Sequence, residues 1–253
     1  SPGSRCFNLC MTHASEAHLA WAQDRHDTVT GPLGALALVV QAWSSPGEPA
    51  VDEALAREGH PADAQFSRLQ RPRVDSGEVE DGYRIWRSDS PARHAFQALE
   101  VYDYDPAWVV EGRFELVDEE RAIAFEHLLD GGATRALPVS GDLIFTHQGQ
   151  EVRLAAFDAV YAGVSTLHLV FSDHTNGAES YATGRFLFLE RPESDALAAD
   201  GSVAVTIDFN RAVVPPCGFS NQMNCPLPPL QNRVPFPIRA GERTVRYAEG
   251  FSL

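Results

Sequence analysis

Beyond about residue 76 the hydrophobic period of the chain changes to two, and this restricts it to strand-built folds. Tyr83, Ile85 and Arg87 alternate with Arg84 and Trp86 after an Asp81-Gly82 turn. Residues 109–117 read as a strand, and Ile123, Phe125 and Leu129 alternate ahead of Asp130-Gly131-Gly132. Residues 143–147 and 152–157 flank a turn at Gly149. Residues 166–172 precede Asn176-Gly177, a strong turn signal whose return strand starts late. Residues 185–190 and 203–209 complete the series. Roughly ten strands joined by short turns predict a mainly antiparallel β fold, as one barrel or sandwich-like domain.

The N-terminal part reads differently. Ala14, Ala17 and Trp21 share one face of a polar stretch over 15–28, and Gly31-Pro32 stops it, so an amphipathic helix is expected there. Residues 35–43 read as a buried strand and 51–57 as a short helix ended by Gly59-His60-Pro61. Residues 1–10 are expected to be a disordered tag or leader remnant ahead of Met11, and 11–253 a single β-rich domain. Prolines 215, 216, 226, 228, 229, 235 and 237 crowd one C-terminal segment. It also carries Phe219, Leu227, Leu230, Val234 and Phe236, so it is expected to pack in extended form on the sheet rather than act as a linker.

All 20 basic residues are arginine. Without lysine there is no Schiff-base amine, no P-loop lysine and no kinase lysine. A formal charge of −15 disfavours nucleic acid and anionic membrane surfaces. No stretch approaches the ~20 apolar residues of a membrane span. No secretory signal is read, which makes cytoplasm the expected location. Nothing in the pattern specifies an oligomeric state.

The four cysteines are 6, 10, 217 and 225. Cys6, Cys10 and His13 form C-x3-C-x2-H without a nearby fourth ligand. Cys217 and Cys225 are open to three readings: a disulfide, half a metal site, or two buried thiols, the last favoured by how often free cysteine is interior. His127, His147 and His168 fall in or beside strands, where a three-histidine metal face is conceivable but unsupported by spacing. Neither a metal nor a cofactor is expected. Nucleophile elbows and dinucleotide loops are missing.

The densest polar pattern is C-terminal. Val203, Val205, Ile207 and Phe209 point to one face of a strand, and Thr206, Asp208 and Asn210 to the other, beside Arg211. Upstream stand Asp173, Glu179, Tyr181 and Arg185; downstream stand Asn232, Arg233 and Glu242. If they converge, arginine forks would grip a carboxylate or phosphate. The alternative is buried Arg–Asp pairs and Asx turns that brace irregular loops.

The stretches FSDHTNGAESYATGRFLFL, VTIDFNRAVVPPCGFSNQMNCPLPPLQNRVPFPIRAGER and YDYDPAWVVEGRF resemble the bacterial domain of unknown function 1684 family. W…R…TGPLGALALV near the N-terminus resembles that family's opening. The resemblance implies no particular activity, but it puts weight on Asp173, Arg185, Asp208, Asn210, Cys217, Cys225, Asn232, Arg233 and Glu242. The chain departs from the pattern at Val213-Val214, at Arg243 where lysine is usual, and from Trp43 to about Arg73.

Two functions are expected from these residues. The first is binding of a small, partly apolar organic ligand with an anionic group. Arg185 and Arg233 would hold the anion, Asp208 and Asn210 would orient it, and Asp173, Arg211, Asn232 and Glu242 would complete the site. The alternative is a metal-independent hydrolase, isomerase or cyclase with Asp208 or Glu179 as base, Tyr181 as donor and Cys217 as nucleophile.

Overall fold

A type I′ two-residue turn, whose twist matches that of its strands, requires positive φ at both central positions. Gln148 (φ 50°) and Gly149 (φ 80°) provide it, and His147 then pairs with Gln150. The structure is a computed structural model that describes residues 3–45, 47–73, 76–117, 120–161 and 163–253, without the side chains of 3–15 and 194.

The chain begins with α1 (Gly3–Thr30), β1 (Leu38–Trp43), α2 (Glu53–Ala56), β2 (Gln65–Pro72) and β3 (Val79–Trp86). Next come α3 (Pro91–Ala95), β4 (Phe96–Val101), β5 (Val109–Leu116), β6 (Ala122–Glu126), β7 (Thr134–Pro138) and β8 (Gly141–His147). The series ends with β9 (Gln150–Tyr161), β10 (Val164–Phe171), β11 (Arg185–Glu190), β12 (Ser202–Asp208) and β13 (Glu242–Tyr247). The fold is mainly β with an N-terminal helix, as the periodicity predicts. However, α1 starts at Gly3, inside the stretch expected to be a disordered leader. The strand expected at 35 begins only at Leu38, after a 3-10 turn over Ala35–Ala37.

Contacts group the chain into two compact units. One holds residues 1–22, 99–215 and 226–244; the other holds 23–98, 216–225 and 245–253. The chain crosses between them repeatedly, so no linker composition marks the division.

In the first unit, six antiparallel strands curl into a half-barrel in the order β11-β10-β9-β8-β5-β12. Its concave face is filled by Phe114, Leu143, Phe145, Leu154, Leu167, Leu169, Phe171, Leu187, Ile207 and Phe209, all nearly solvent-free. Val203 and Val205 pack on the same core, so the predicted apolar face of β12 is the observed one. The edges β11 and β12 are consecutive strands. An antiparallel bridge joins Phe186 of β11 to Val213, beyond the end of β12. The Pro-rich segment packs on the sheet through its second half, where Ser172 and Arg233 form a parallel bridge and Val234 is buried.

The second unit contains a three-stranded sheet, β1-β3-β2, over a small core of Ala56, Ala64 and Ile85. Asp52 caps α2 by accepting from the Ala54 and Leu55 amides, and Ser90 caps α3 with Pro91 in the first turn.

Candidate functional site

The loop between β10 and β11 and the segment 238–242 are tied by one buried ion pair. Asp173 Oδ1 accepts from the amides of Thr175 (2.8 Å) and Ile238 (3.1 Å). Arg185 Nη2 donates to Asp173 Oδ2 (2.7 Å) and to the Ile238 carbonyl (2.7 Å). Its Nη1 donates to the carbonyls of Ala240 and Glu242. Both side chains have 0% exposure. Arg185 was expected to grip a ligand anion, and the structure corrects this: both its terminal nitrogens are already committed inside the protein. Glu242 is equally buried, and its Oε2 accepts from the Val214 amide (2.6 Å). Gly241 lets 238–242 lie this close. It sits at φ +75°, and a Cβ there would stand 2.5 Å from the Ala212 carbonyl.

The two asparagines act in the same way. Asn210 Oδ1 accepts from the Asp105 amide (3.0 Å), and its Nδ2 donates to the Asp105 carbonyl (2.9 Å) and to Asp208 Oδ1 (3.0 Å). Asn232 accepts from the Ala155 amide (2.8 Å) and donates to the carbonyls of Ala155 and Val170 (2.9 Å each). Both have 0% exposure. Asp173, Arg185, Asn210, Asn232 and Glu242 therefore brace loops, and their side chains are buried within the protein.

Glu179 and Tyr181 lie in the β10–β11 loop. Arg239 holds the Glu179 carboxylate through two bonds, 2.8 and 2.7 Å, and its hydrogen bond keeps that carboxyl below the usual range. A base so weakened is poorly suited to take a proton at neutral pH. Arg239 and Tyr102, whose hydroxyl lies 3.5 Å from the same carboxylate, are members of this cluster that the strand pattern did not single out. Cys217 belongs to the second unit. It is buried and not in a disulfide, and its amide donates to Cys225 Sγ at 3.2 Å. Contact with Cys217, then burial, pushes the Cys225 thiol far up, so that thiol rests protonated. The C-x3-C-x2-H side chains lie outside the described residues.

Asp208 and Arg211 border solvent at the end of β12, 3.5 Å apart. They line a cleft of about 540 Å³ between the two sheet edges, over Leu187, Leu189 and Val205. His18 of α1 is another residue the pattern passed over. It is 8% exposed, stacks between Trp21 and Tyr104, and its Nδ1 is buried without a partner. Burial lowers its pKa, with Asp208 opposing and Arg211 assisting.

Arg233 differs from every other described arginine of the first unit. The others each hold a carboxylate or a carbonyl, whereas its guanidinium is exposed and has no hydrogen bond or ion pair among the described residues. It stands between two clefts of about 640 and 580 Å³ that share Leu227, Pro228 and Arg233. The larger adds Val234, Pro235, His174, Asn176 and Thr183; the smaller adds Ile123, Pro229 and a 77%-exposed Leu230. An apolar groove around one unpaired fork is the form a small-molecule site takes.

The three strand-region histidines are separated by their neighbours. His147 packs on Trp108 and Phe236 (4.7 Å each), and His127 Nδ1 lies 3.9 Å from Asp130 Oδ2. Among the described residues no three His, Cys, Asp or Glu side chains are placed to share a metal. His168 lies between Phe186 and Phe188 with its Nε2 buried and unpartnered, and burial lowers its pKa to about 4. A base depressed in the folded state stabilises the fold above its unfolded pKa of about 6.5, and this is lost as pH falls toward 4. Urea unfolding should show His168→Leu losing about 2–3 kcal/mol less than the parent between pH 7 and pH 4.5. Identical losses would contradict the buried, neutral imidazole.

A curled antiparallel half-barrel, braced by buried polar side chains and carrying a proline-walled groove, defines the class of protein. The family model described as a protein of unknown function (DUF1684) matches residues 94–243, and the chain belongs to that family. No curated protein matches the chain. Among solved structures it is similar to an uncharacterized protein of Haloarcula marismortui determined by solution NMR. That protein is 32% identical, with 59% of this chain and 77% of that one covered, at a TM-score of 0.46. Among the described residues no helix is long and apolar enough to cross a membrane.

Proposed function

We propose that the protein binds a small, partly apolar organic anion in the groove around Arg233. The observation that carries this reading is the unpaired guanidinium of Arg233 among Leu227, Pro228, Val234 and Pro235, in a chain with 35 acidic residues against 20 arginines. A surface arginine in so acidic a chain is ordinarily taken up by a carboxylate, as Arg239, Arg135 and Arg191 are. Left open, its planar fork fits a carboxylate or phosphate, and the proline walls fit the ligand's apolar body.

Calorimetric titration with octanoate and phenyl phosphate tests it. Arg233→Ala should weaken binding about 10- to 100-fold, the worth of a charge-assisted hydrogen bond, and Arg233→Lys should restore part of it. Arg185→Lys is the wrong variant for this purpose, because it disturbs the fold. If neither anion binds the parent, or if Arg233→Ala binds as well as the parent, the proposal fails.

A further inference from the structure

The half-barrel is not closed. In an antiparallel pair, successive residues alternately turn both backbone groups toward the partner strand and both away from it. Phe186 exchanges two hydrogen bonds with Val213, 2.9 and 2.8 Å, on the side of β11 away from β10. By alternation, Phe188 and Glu190 turn their amides and carbonyls the same way. On β12 the Ser202 carbonyl accepts from the Ala198 amide on the side away from β5, so Ala204 and Thr206 also face away. Among the described residues, β11 pairs with β10 and, beyond the Phe186–Val213 bridge, with no other segment, and β12 pairs with β5 alone. All four outward residues line the same cleft of about 540 Å³.

We propose that this open seam takes up an extended polypeptide strand from a partner protein, which pairs with β11 on one side and β12 on the other. Two opposed rows of unpaired donors and acceptors can be satisfied together only by a group with both on each side, which is an extended backbone. At about 3.3 Å per residue, the seam beside these positions matches about four residues. Every second side chain of such a strand would lie over Leu187, Leu189 and Val205, which calls for an apolar residue there. The others would meet the rim. Glu190, Glu193 and Asp208 outnumber Arg191 and Arg211 there, and Arg191 is already bound to Asp158 outside the cleft. The partner strand therefore alternates apolar and basic residues. The site is independent of the Arg233 groove and shares no residue with it.

The probe is the capped peptide KVKVKV, read by amide hydrogen exchange of the full chain. Without peptide, the amides of Phe188, Glu190, Ala204 and Thr206 should exchange much faster than those of Leu187, Leu189 and Val205. At millimolar peptide the four should slow by at least about tenfold, whereas EVEVEV and a KVKVKV N-methylated at alternate residues should leave them unchanged. Ala204→Pro, which removes a donor that bonds nothing within the chain, should weaken the effect about tenfold. The proposal is overturned if the four amides are already as protected as their neighbours in the free protein. It is equally overturned if KVKVKV does not slow them, or if the N-methylated peptide slows them as much.

Discussion

Arg185→Ala should cost about 3–5 kcal/mol of stability, because it removes one partner of a solvent-free ion pair. Against the roughly 5–15 kcal/mol by which domains are stable, that is a large share. Two effects act together. The carboxylate keeps the amides of Thr175 and Ile238 but loses its counter-charge, and the carbonyls of Ile238, Ala240 and Glu242 lose donors. Lysine is not a substitute, since one ammonium cannot reproduce the spread of a planar fork that reaches four oxygens. The check is urea unfolding of Arg185→Ala, Asp173→Ala and the double variant. The double variant should be less destabilised than the sum of the singles by about 1–3 kcal/mol, since removing both charges leaves none stranded. Additive losses would contradict the pairing.

The fold was legible wherever side chains alternate over a buried face. Val203 to Phe209 and the Gly149 turn are the clearest cases, because period and turn chemistry are local properties. The strands that escaped reading lack that contrast. β2 runs Gln-Phe-Ser-Arg-Leu-Gln-Arg-Pro with no fully buried residue, and β4 has none either. The start of α3 carried a usable signal, Ser90-Pro91, that was passed over. Chemically important residues were also recognisable by type, but their roles were not. Arg185 at the head of an apolar strand has the same spelling whether it meets a ligand or three carbonyls. The carbonyls that decide the matter lie more than fifty positions away. Arg233 and Arg239, six residues apart, have opposite fates for a comparable reason: Glu179 reaches one and no acid reaches the other.

Asn232→Asp should destabilise the protein more than Asn232→Ala at neutral pH, although aspartate is the closer match in shape. The reason lies in the sheet. β9 and β10 pair only as far as Phe157 with His168; continued by two residues, that register would set Ala155 opposite Val170. The strands part there, and the Asn232 amide stands between them, bonded to the Ala155 amide and to the carbonyls of Ala155 and Val170. The Asn232 carbonyl meanwhile accepts from the Ser172 amide, and Val234 donates back to Ser172, so the Pro-rich segment becomes an added strand beside the end of β10. Alanine at 232 leaves three buried backbone groups unanswered, at about 2–4 kcal/mol. Aspartate keeps the acceptor for the Ala155 amide but turns a charge toward two carbonyls, at 0% exposure and without a counter-ion. Its carboxyl pKa in the folded protein is therefore raised above the unfolded value of about 3.9. For a raised pKa, stability is fully present below the unfolded value and lost as pH rises through the folded one. Asn232→Asp should consequently regain stability relative to Asn232→Ala when urea unfolding is repeated at pH 4.5, because a protonated carboxyl can donate to one of the two carbonyls. A constant difference between the two variants from pH 7 to pH 4.5 would show that position 232 is wet, and that the splayed strands are joined by something other than this amide.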